Sequence, residues 1–326
     1  MNVTALVISN ISHREDCLLS DDQEVVDTLK YLLFSVIFLT SLCGNGFVCW
    51  VVWRRLHIRT VMNYFLLNLA VDDLAFTVIC IPFDLPVQLN QCIWPYFKAF
   101  CKVLFPMQTI CALVSAFTLT AIGISRYRAI VHPMKTQLGL AASKRFILCI
   151  WIISFVLVIP YALVLEVDPT TEQCSEVWPE PRHTNSRVYS YFMFIAGFAL
   201  PLTVLLCSYL KISCELRKNA PPNANCVLQA DHAREAEKVL KLSIAVTVVF
   251  AICTLPNHVV WLALDFDGIN CAQCNTWLTV ANTLVFANSA ANPVVFVIFN
   301  ENYRNEIRSI LKRKRKRHQR EREEQL

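Results

Sequence analysis

Asp73 stands in the run "LNLAVDDLAF", where almost everything around it is apolar. A carboxylate in such company must find a partner or take up a proton. Other polar residues share this setting: Asn45 in "GNGFV", Ser115, and Asn288, Ser289 and Asn292 in "FANSAANPVVF". Amides and hydroxyls can serve as glue between helices, at about 1 kcal/mol each. Asp73 is not explained by glue alone. Arg126 and Tyr127 close a further apolar run in "GISRYRAIVHP". Cys271-Ala-Gln-Cys274 has half the spacing of a zinc site, but no second ligand pair accompanies it, which favours a disulfide.

The elements that position these residues follow from composition. Of 326 residues, 55% are hydrophobic and 17% charged, with mean hydropathy +0.44. Soluble domains carry about 25% charged residues, so the chain reads as a membrane protein. Apolar runs at 28–53, 62–88, 98–131, 144–165, 187–214, 238–264 and 276–299 each reach the roughly 20 residues that cross a bilayer as a helix. Pro82, Pro160, Pro201, Pro256 and Pro293 fall inside them, which a membrane bundle tolerates. The expected fold is an all-α bundle of seven transmembrane helices spanning 28–299. Before it lies an N-terminal segment, 1–27; after it come a short amphipathic helix and a basic tail, 300–326.

Basic residues set the orientation. Arg54, Arg55 and Arg59, then Arg126, Arg128, Lys135, Lys144 and Arg145, then Lys211, Arg217, Lys218, Arg234, Lys238 and Lys241 fall on one side, with the tail "KRKRKRHQRER". That side is expected to be cytoplasmic and the N-terminus extracellular. The start "MNVTALVISN" lacks a charged region and a full apolar core, so no cleaved signal is expected. Asn2 and Asn10 each open a glycosylation sequon in this outer segment. Cys17, Cys92, Cys101, Cys174, Cys271 and Cys274 fall at outer ends or loops, where disulfides persist; the pairing of Cys17, Cys92, Cys271 and Cys274 stays open.

The chain resembles the rhodopsin-type (class A) G-protein-coupled receptors over nearly its whole length. The matching residues run in order: Gly44-Asn45; Asn68-Leu69-Ala70 with Asp73; Cys101 and Arg126-Tyr127; Trp151; Pro201 with Tyr209; Cys253 with Pro256; Asn292-Pro293. The resemblance implies a receptor rather than an enzyme, a disulfide between Cys101 and Cys174, and no catalytic residues. It also implies a sodium pocket beneath the ligand site, built from Asp73, Ser115, Asn288, Ser289 and Asn292, with the ion favouring the resting state.

Within that family, Phe286 stands where opsins need a lysine, and Gln108 where amine receptors need an aspartate. Pro82 in "CIPFDLP" and Trp94 resemble peptide receptors, and "CKVLFPMQT", "RYRAIVHPM" and "LPNHVV" look most like bombesin-type receptors. Asn282 replaces an arginine of that subgroup. The candidate ligand residues are Gln108, Asn257, His258, Trp261 and Asn282, with packing as the plain alternative for His258. Acids crowd the outer side: Glu15, Asp16, Asp21, Asp22, Glu24 and Asp27, then Glu166, Asp168, Glu172, Glu176 and Glu180, then Asp265 and Asp267. They read equally as a rim that concentrates a cationic ligand or as a solvated surface.

The switch expected from the resemblance is Arg126 exchanging an inactive-state acid for Tyr209 and the G protein. Three parts depart from it. Ser125 replaces the acid, Thr254 a tryptophan in "CTLP", and Phe296 the tyrosine after Asn292-Pro293. Ala236 stands at a further acid position, between Glu235 and Glu237. Past the seventh span, Phe299, Tyr303, Ile307 and Ile310 form an apolar stripe for the bilayer boundary, and the basic run suits anionic inner-leaflet lipid. The expected function is a plasma-membrane receptor for an extracellular neuropeptide that activates a heterotrimeric G protein. It would have no cofactor beyond sodium and no nucleic-acid partner. Competing readings are a small non-amine or lipid ligand, a non-signalling decoy and, more remotely, a transporter.

Overall fold

In hydrocarbon a backbone amide has no water to bond to, so an apolar run must satisfy its own peptide groups as helix. The computed structural model describes residues 3–54, 60–90, 93–218, 227–265, 271–299, 303–309 and 312, with side chains from residue 25 onward and not at 227–233, 235, 265 and 271–276. Among the described residues, seven long helices follow in order: α1 (Val3–Arg54), α2 (Val61–Leu89), α3 (Lys98–Val131), α4 (Leu140–Val164), α5 (Arg182–Lys218), α6 (Val227–Asp265) and α7 (Cys271–Phe299). Each contains a stretch long and apolar enough to cross a membrane. Their ends lie a few residues from the expected ones, because hydropathy marks the lipid-buried part while hydrogen bonding runs on into water. The largest difference is α1, which continues back to Val3 through the segment expected to precede the bundle.

α3 is the central helix and packs against α2, α4, α5 and α6; α1 closes the ring against α2 and α7, and α6 lies along α7. Two glycines allow the tightest crossings. A Cβ on Gly44 would sit 2.5 Å from Pro293 Cγ, and one on Gly123 would sit 2.5 Å from Leu205 Cδ2. Outward faces carry apolar side chains such as Leu32, Val36, Leu148, Ile152, Phe155 and Ile159, as lipid-facing surfaces must.

α2 and α5 are each interrupted by a π-helical turn, Phe76–Cys80 and Ile195–Ala199. Both lie just before a proline, Pro82 and Pro201. Proline cannot donate to the carbonyl four residues back and its ring crowds that carbonyl, and a wider turn relieves both problems.

At one end of the bundle a hairpin pairs β1 (Leu165–Val167) with β2 (Cys174–Glu176), with Val167 opposite Cys174. Cys174 is bonded to Cys101 at the start of α3, Cα to Cα 6.0 Å, as the resemblance implied. Asp168 closes the hairpin turn: its Oδ1 accepts from the Thr170 hydroxyl at 2.5 Å and from the Thr170 and Thr171 amides at 2.7 and 3.3 Å. These donors hold its carboxyl below the ordinary carboxylate range. At the other end, a short helix at 303–309 follows α7. Here the expected bilayer-facing stripe fails at Tyr303. Its ring is fully buried and stacks on Phe296, centroids 6.4 Å apart, because the core beneath α7 offers an aromatic surface that the lipid boundary does not.

Candidate functional site

Polar residues form three levels along the bundle. Nearest the disulfide, Gln108 on α3 donates through Nε2 to Asp84 Oδ1 on α2 at 3.1 Å, and Gln88 donates to Asp84 Oδ2. Asp84 is 1% exposed and no basic side chain meets it among the described residues. Across the bundle, Asn257 Nδ2 donates to Asn282 Oδ1 at 3.0 Å, tying α6 to α7. His258 packs its ring against Phe194 and Phe198 of α5, centroids 5.7 and 5.2 Å away. Trp261 is exposed. The five candidate ligand residues therefore fall into a Gln108 group on α2 and α3, an Asn257–Asn282 pair, a packed His258 and an outlying Trp261. Asp84 was missed in the sequence, although an acid between two prolines inside an apolar span is itself a rare-residue signal.

At mid-depth, Asn292 Nδ2 donates to Asp73 Oδ2 at 2.9 Å, and the Ser289 hydroxyl is also within bonding reach of Asp73. Ser115 goes elsewhere: its Oγ donates at 2.7 Å to Asp72, the neighbouring acid. Asp72 is as buried as Asp73, both at 1% exposure. A hydroxyl chain anchors this level to α1. Thr77 donates to the Asp73 carbonyl at 2.6 Å, so its bond to Ser41, also 2.6 Å, must be donated by Ser41. Asn45 in turn donates to Ser41 and to the Ser289 carbonyl. Four buried acceptors are left with no donor: Asn45 Oδ1, Asp72 Oδ1, Asn288 Oδ1 and Asn292 Oδ1. Carboxylate and amide oxygens without donors are the ligands a hard cation takes, so the residue set fits a sodium ion.

At the other end, Arg126 donates through Nε to the Met62 thioether at 3.0 Å, and no acid meets it among the described residues. Beside it, Thr60, Met62, Ser125, Ala129, Gln137 and Leu138 help line a cavity of about 230 Å3. Tyr209 directs its hydroxyl to α6, 3.0 Å from Thr247 Oγ1 and 3.3 Å from the Ser243 carbonyl, and makes no bond to Arg126. Glu237 is paired with Lys241 at 2.8 Å. Thr254 bonds back to the Phe250 carbonyl at 2.7 Å, and Phe296 is fully buried. Tyr127 stacks edge-on with His132. Asn2, and the side chain of Asn10, lie outside the described residues.

Residues 44–296 match the family described as "7 transmembrane receptor (rhodopsin family)". The chain belongs to that family. The receptor is 31% identical over 302 residues to neuropeptide FF receptor 2 of Mus musculus, covering 85% of this chain and 70% of the relative. It is 30% identical to a QRFP-like peptide receptor of Branchiostoma floridae, covering 87% and 78%, and 29% identical to the RYamide receptor of Drosophila melanogaster, covering 93% and 68%. The receptor is thus a multi-pass membrane protein and not an enzyme. Its family match runs through all three polar levels, from Asn45 to Phe296.

Proposed function

We propose that this receptor binds an extracellular neuropeptide at the level of Asp84 and Gln108 and activates a heterotrimeric G protein at the level of Arg126. The observation that carries the reading is the run of relatives named for peptide ligands, each matched over more than four-fifths of this chain. The bombesin-like segments are short and carry less weight than these long matches. A cationic group on the peptide is favoured by Asp84, a buried carboxylate satisfied by neutral amides alone. The rim acids Glu176 and Glu180 are engaged by Trp178 and Arg182. Asp84 is therefore the stronger candidate for recognition.

In this reading the disulfide end faces outside, where oxidation preserves the bond, and the Arg126 end faces the cytoplasm with the basic tail at anionic lipid. The plasma membrane is the location that suits an external peptide. Asp73, Asn292, Asn288 and Ser289, with Ser115 beside them, would hold sodium, whose charge offsets a buried carboxylate and stabilises the resting packing. Surface expression with a promiscuous G-protein reporter, screened against amidated and basic peptides, lipids and neutral small molecules, tests the ligand class. A hit whose potency falls at least tenfold in Asp84→Asn supports it, whereas a response only to lipids or neutral small molecules refutes it. Sodium dependence of agonist affinity that survives Asp73→Asn refutes the ion assignment.

A further inference from the structure

Arg126 is half-buried and carries a charge that the fold leaves open. Its Nε donates to the Met62 thioether at 3.0 Å, and its other N–H donors bond to no protein group among the described residues. Sulfur is a weak acceptor, so the guanidinium keeps its charge and most of its bonding capacity. Neither partner that the resemblance offered is in place. Ser125 stands where an acid was expected. Tyr209 directs its hydroxyl to Thr247 and to the Ser243 carbonyl instead.

The guanidinium borders the cavity of about 230 Å3, which lies between the start of α2, the end of α3 and the segment leading into α4. One water needs about 10–15 Å3 of such space, so a small ion fits there with water around it. The walls bring donors and no carboxylate among the described residues. Ser125 and Thr60 each supply a hydroxyl. The Thr60 oxygen accepts the Asn63 amide at 3.3 Å, which leaves its proton to donate. Gln137 is spent on the loop: its Nε2 donates to the His132 and Lys135 carbonyls at 3.0 and 2.9 Å, and so fixes that wall. What remains is an enclosed positive charge, two hydroxyls and empty space.

We propose that this cavity binds a small oxyanion of the carboxylate or phosphate class, which supplies from outside the chain the acid that Ser125 lacks. Two oxygens of such an ion match the parallel N–H groups of a guanidinium fork. Phosphate has a third oxygen to accept from the Ser125 and Thr60 hydroxyls. A halide is a single acceptor and cannot meet the fork in this way. The bound ion holds Arg126 away from Tyr209 and favours the resting state. The site stands on the cavity; its effect on signalling rests on the reading of Arg126 as the G-protein contact.

The test uses the purified full-length receptor in phosphatidylcholine nanodiscs, whose headgroups carry no net charge. Potassium phosphate replaces potassium chloride at constant ionic strength, and thermal unfolding is followed by tryptophan fluorescence. Phosphate also stabilises proteins in general, by exclusion from their surface. Each midpoint is therefore compared with that of Ser125→Asp, in which a fixed carboxylate meets the guanidinium and repels the ion. The expected result is a saturable rise in wild type beyond that of the variant. Basal nucleotide exchange by wild type should fall about fivefold, the shift that one screened ion pair brings, while Ser125→Asp starts low and does not respond. Thr60→Asp keeps a favoured helix cap and brings a carboxylate to another wall; it serves if Ser125→Asp does not fold. Nanodiscs containing phosphatidic acid, without added phosphate, separate the sources. Stabilisation there alone, lost in the same variant, supports the site and assigns the oxyanion to a lipid headgroup. Equal shifts in wild type and variant place the ion on other basic residues and overturn the proposal. No effect of phosphate or phosphatidic acid beyond chloride also overturns it. A midpoint shift with unchanged exchange keeps the site and counts against Arg126 as the G-protein contact.

Discussion

Ser125→Asp should quieten the receptor. Arg126 now has a thioether as its bonded neighbour, and sulfur is a weak acceptor for a guanidinium. Ser125 and Arg126 both border the 230 Å3 cavity, so a carboxylate at 125 has room to meet the guanidinium without repacking α2 or α3. A hydrogen bond between charged groups is worth about 1.5–3 kcal/mol when sheltered. This site is only half-buried, so screening reduces the figure to about 1 kcal/mol. At roughly 1.4 kcal/mol per tenfold, the resting state gains about fivefold in population. The assay is basal nucleotide exchange on purified G protein with matched amounts of wild-type receptor and variant in nanodiscs. Ser125→Asn is the control, since it adds similar bulk without charge. A basal rate unchanged by Ser125→Asp would show that the missing acid is not what leaves Arg126 free. An equal fall with Ser125→Asn would show that bulk, not charge, is responsible.

Gly44→Ala forces a methyl to within 2.5 Å of Pro293 Cγ; overpacking of this kind costs about 1–3 kcal/mol and should lower the thermal midpoint, whereas Gly46→Ala, which meets nothing within 4 Å, should not. Cys174→Ser opens a link between residues 73 apart, which restricts the unfolded chain by about 4 kcal/mol; the denaturant midpoint should fall and the β1–β2 amides should lose exchange protection. Asp168 has a depressed carboxyl, so its turn-stabilising contribution is complete above the ordinary value and is lost as pH falls through the depressed one; proteolysis at the hairpin should rise on acidification in wild type and be pH-independent over that range in Asp168→Ala.

The seven spans were legible because lipid makes one demand of every residue in a run. The disulfide was legible from the resemblance. Partner choice was not. Ser115 was assigned to Asp73, yet it bonds Asp72, because neighbouring acids on a helix point to different helices and a linear sequence does not say which one faces α3. Tyr303 fitted an amphipathic stripe, but its burial depends on the ring of Phe296 above it, which only the packed structure supplies. Glu237 stands one residue, about 100° round the helix, from the acid position at Ala236, and it pairs with Lys241 one turn along.

The π-helical turn at Phe76–Cys80 fixes the helical phase of α2. Asp73 and Asp84 are 11 residues apart, which on an ideal helix would put them within roughly 20° of one another. The π turn absorbs one residue, so it is Asp72, not Asp73, that comes into line with Asp84. Their partners on α3, Ser115 and Gln108, are seven residues apart and share a face. Deleting one residue from the turn would rotate the outer half of α2 by about 100°. Asp84 would then swing away from Gln108 while Asp73 kept Asn292, so a single-residue deletion between the two levels would uncouple the outer acid from the inner pair.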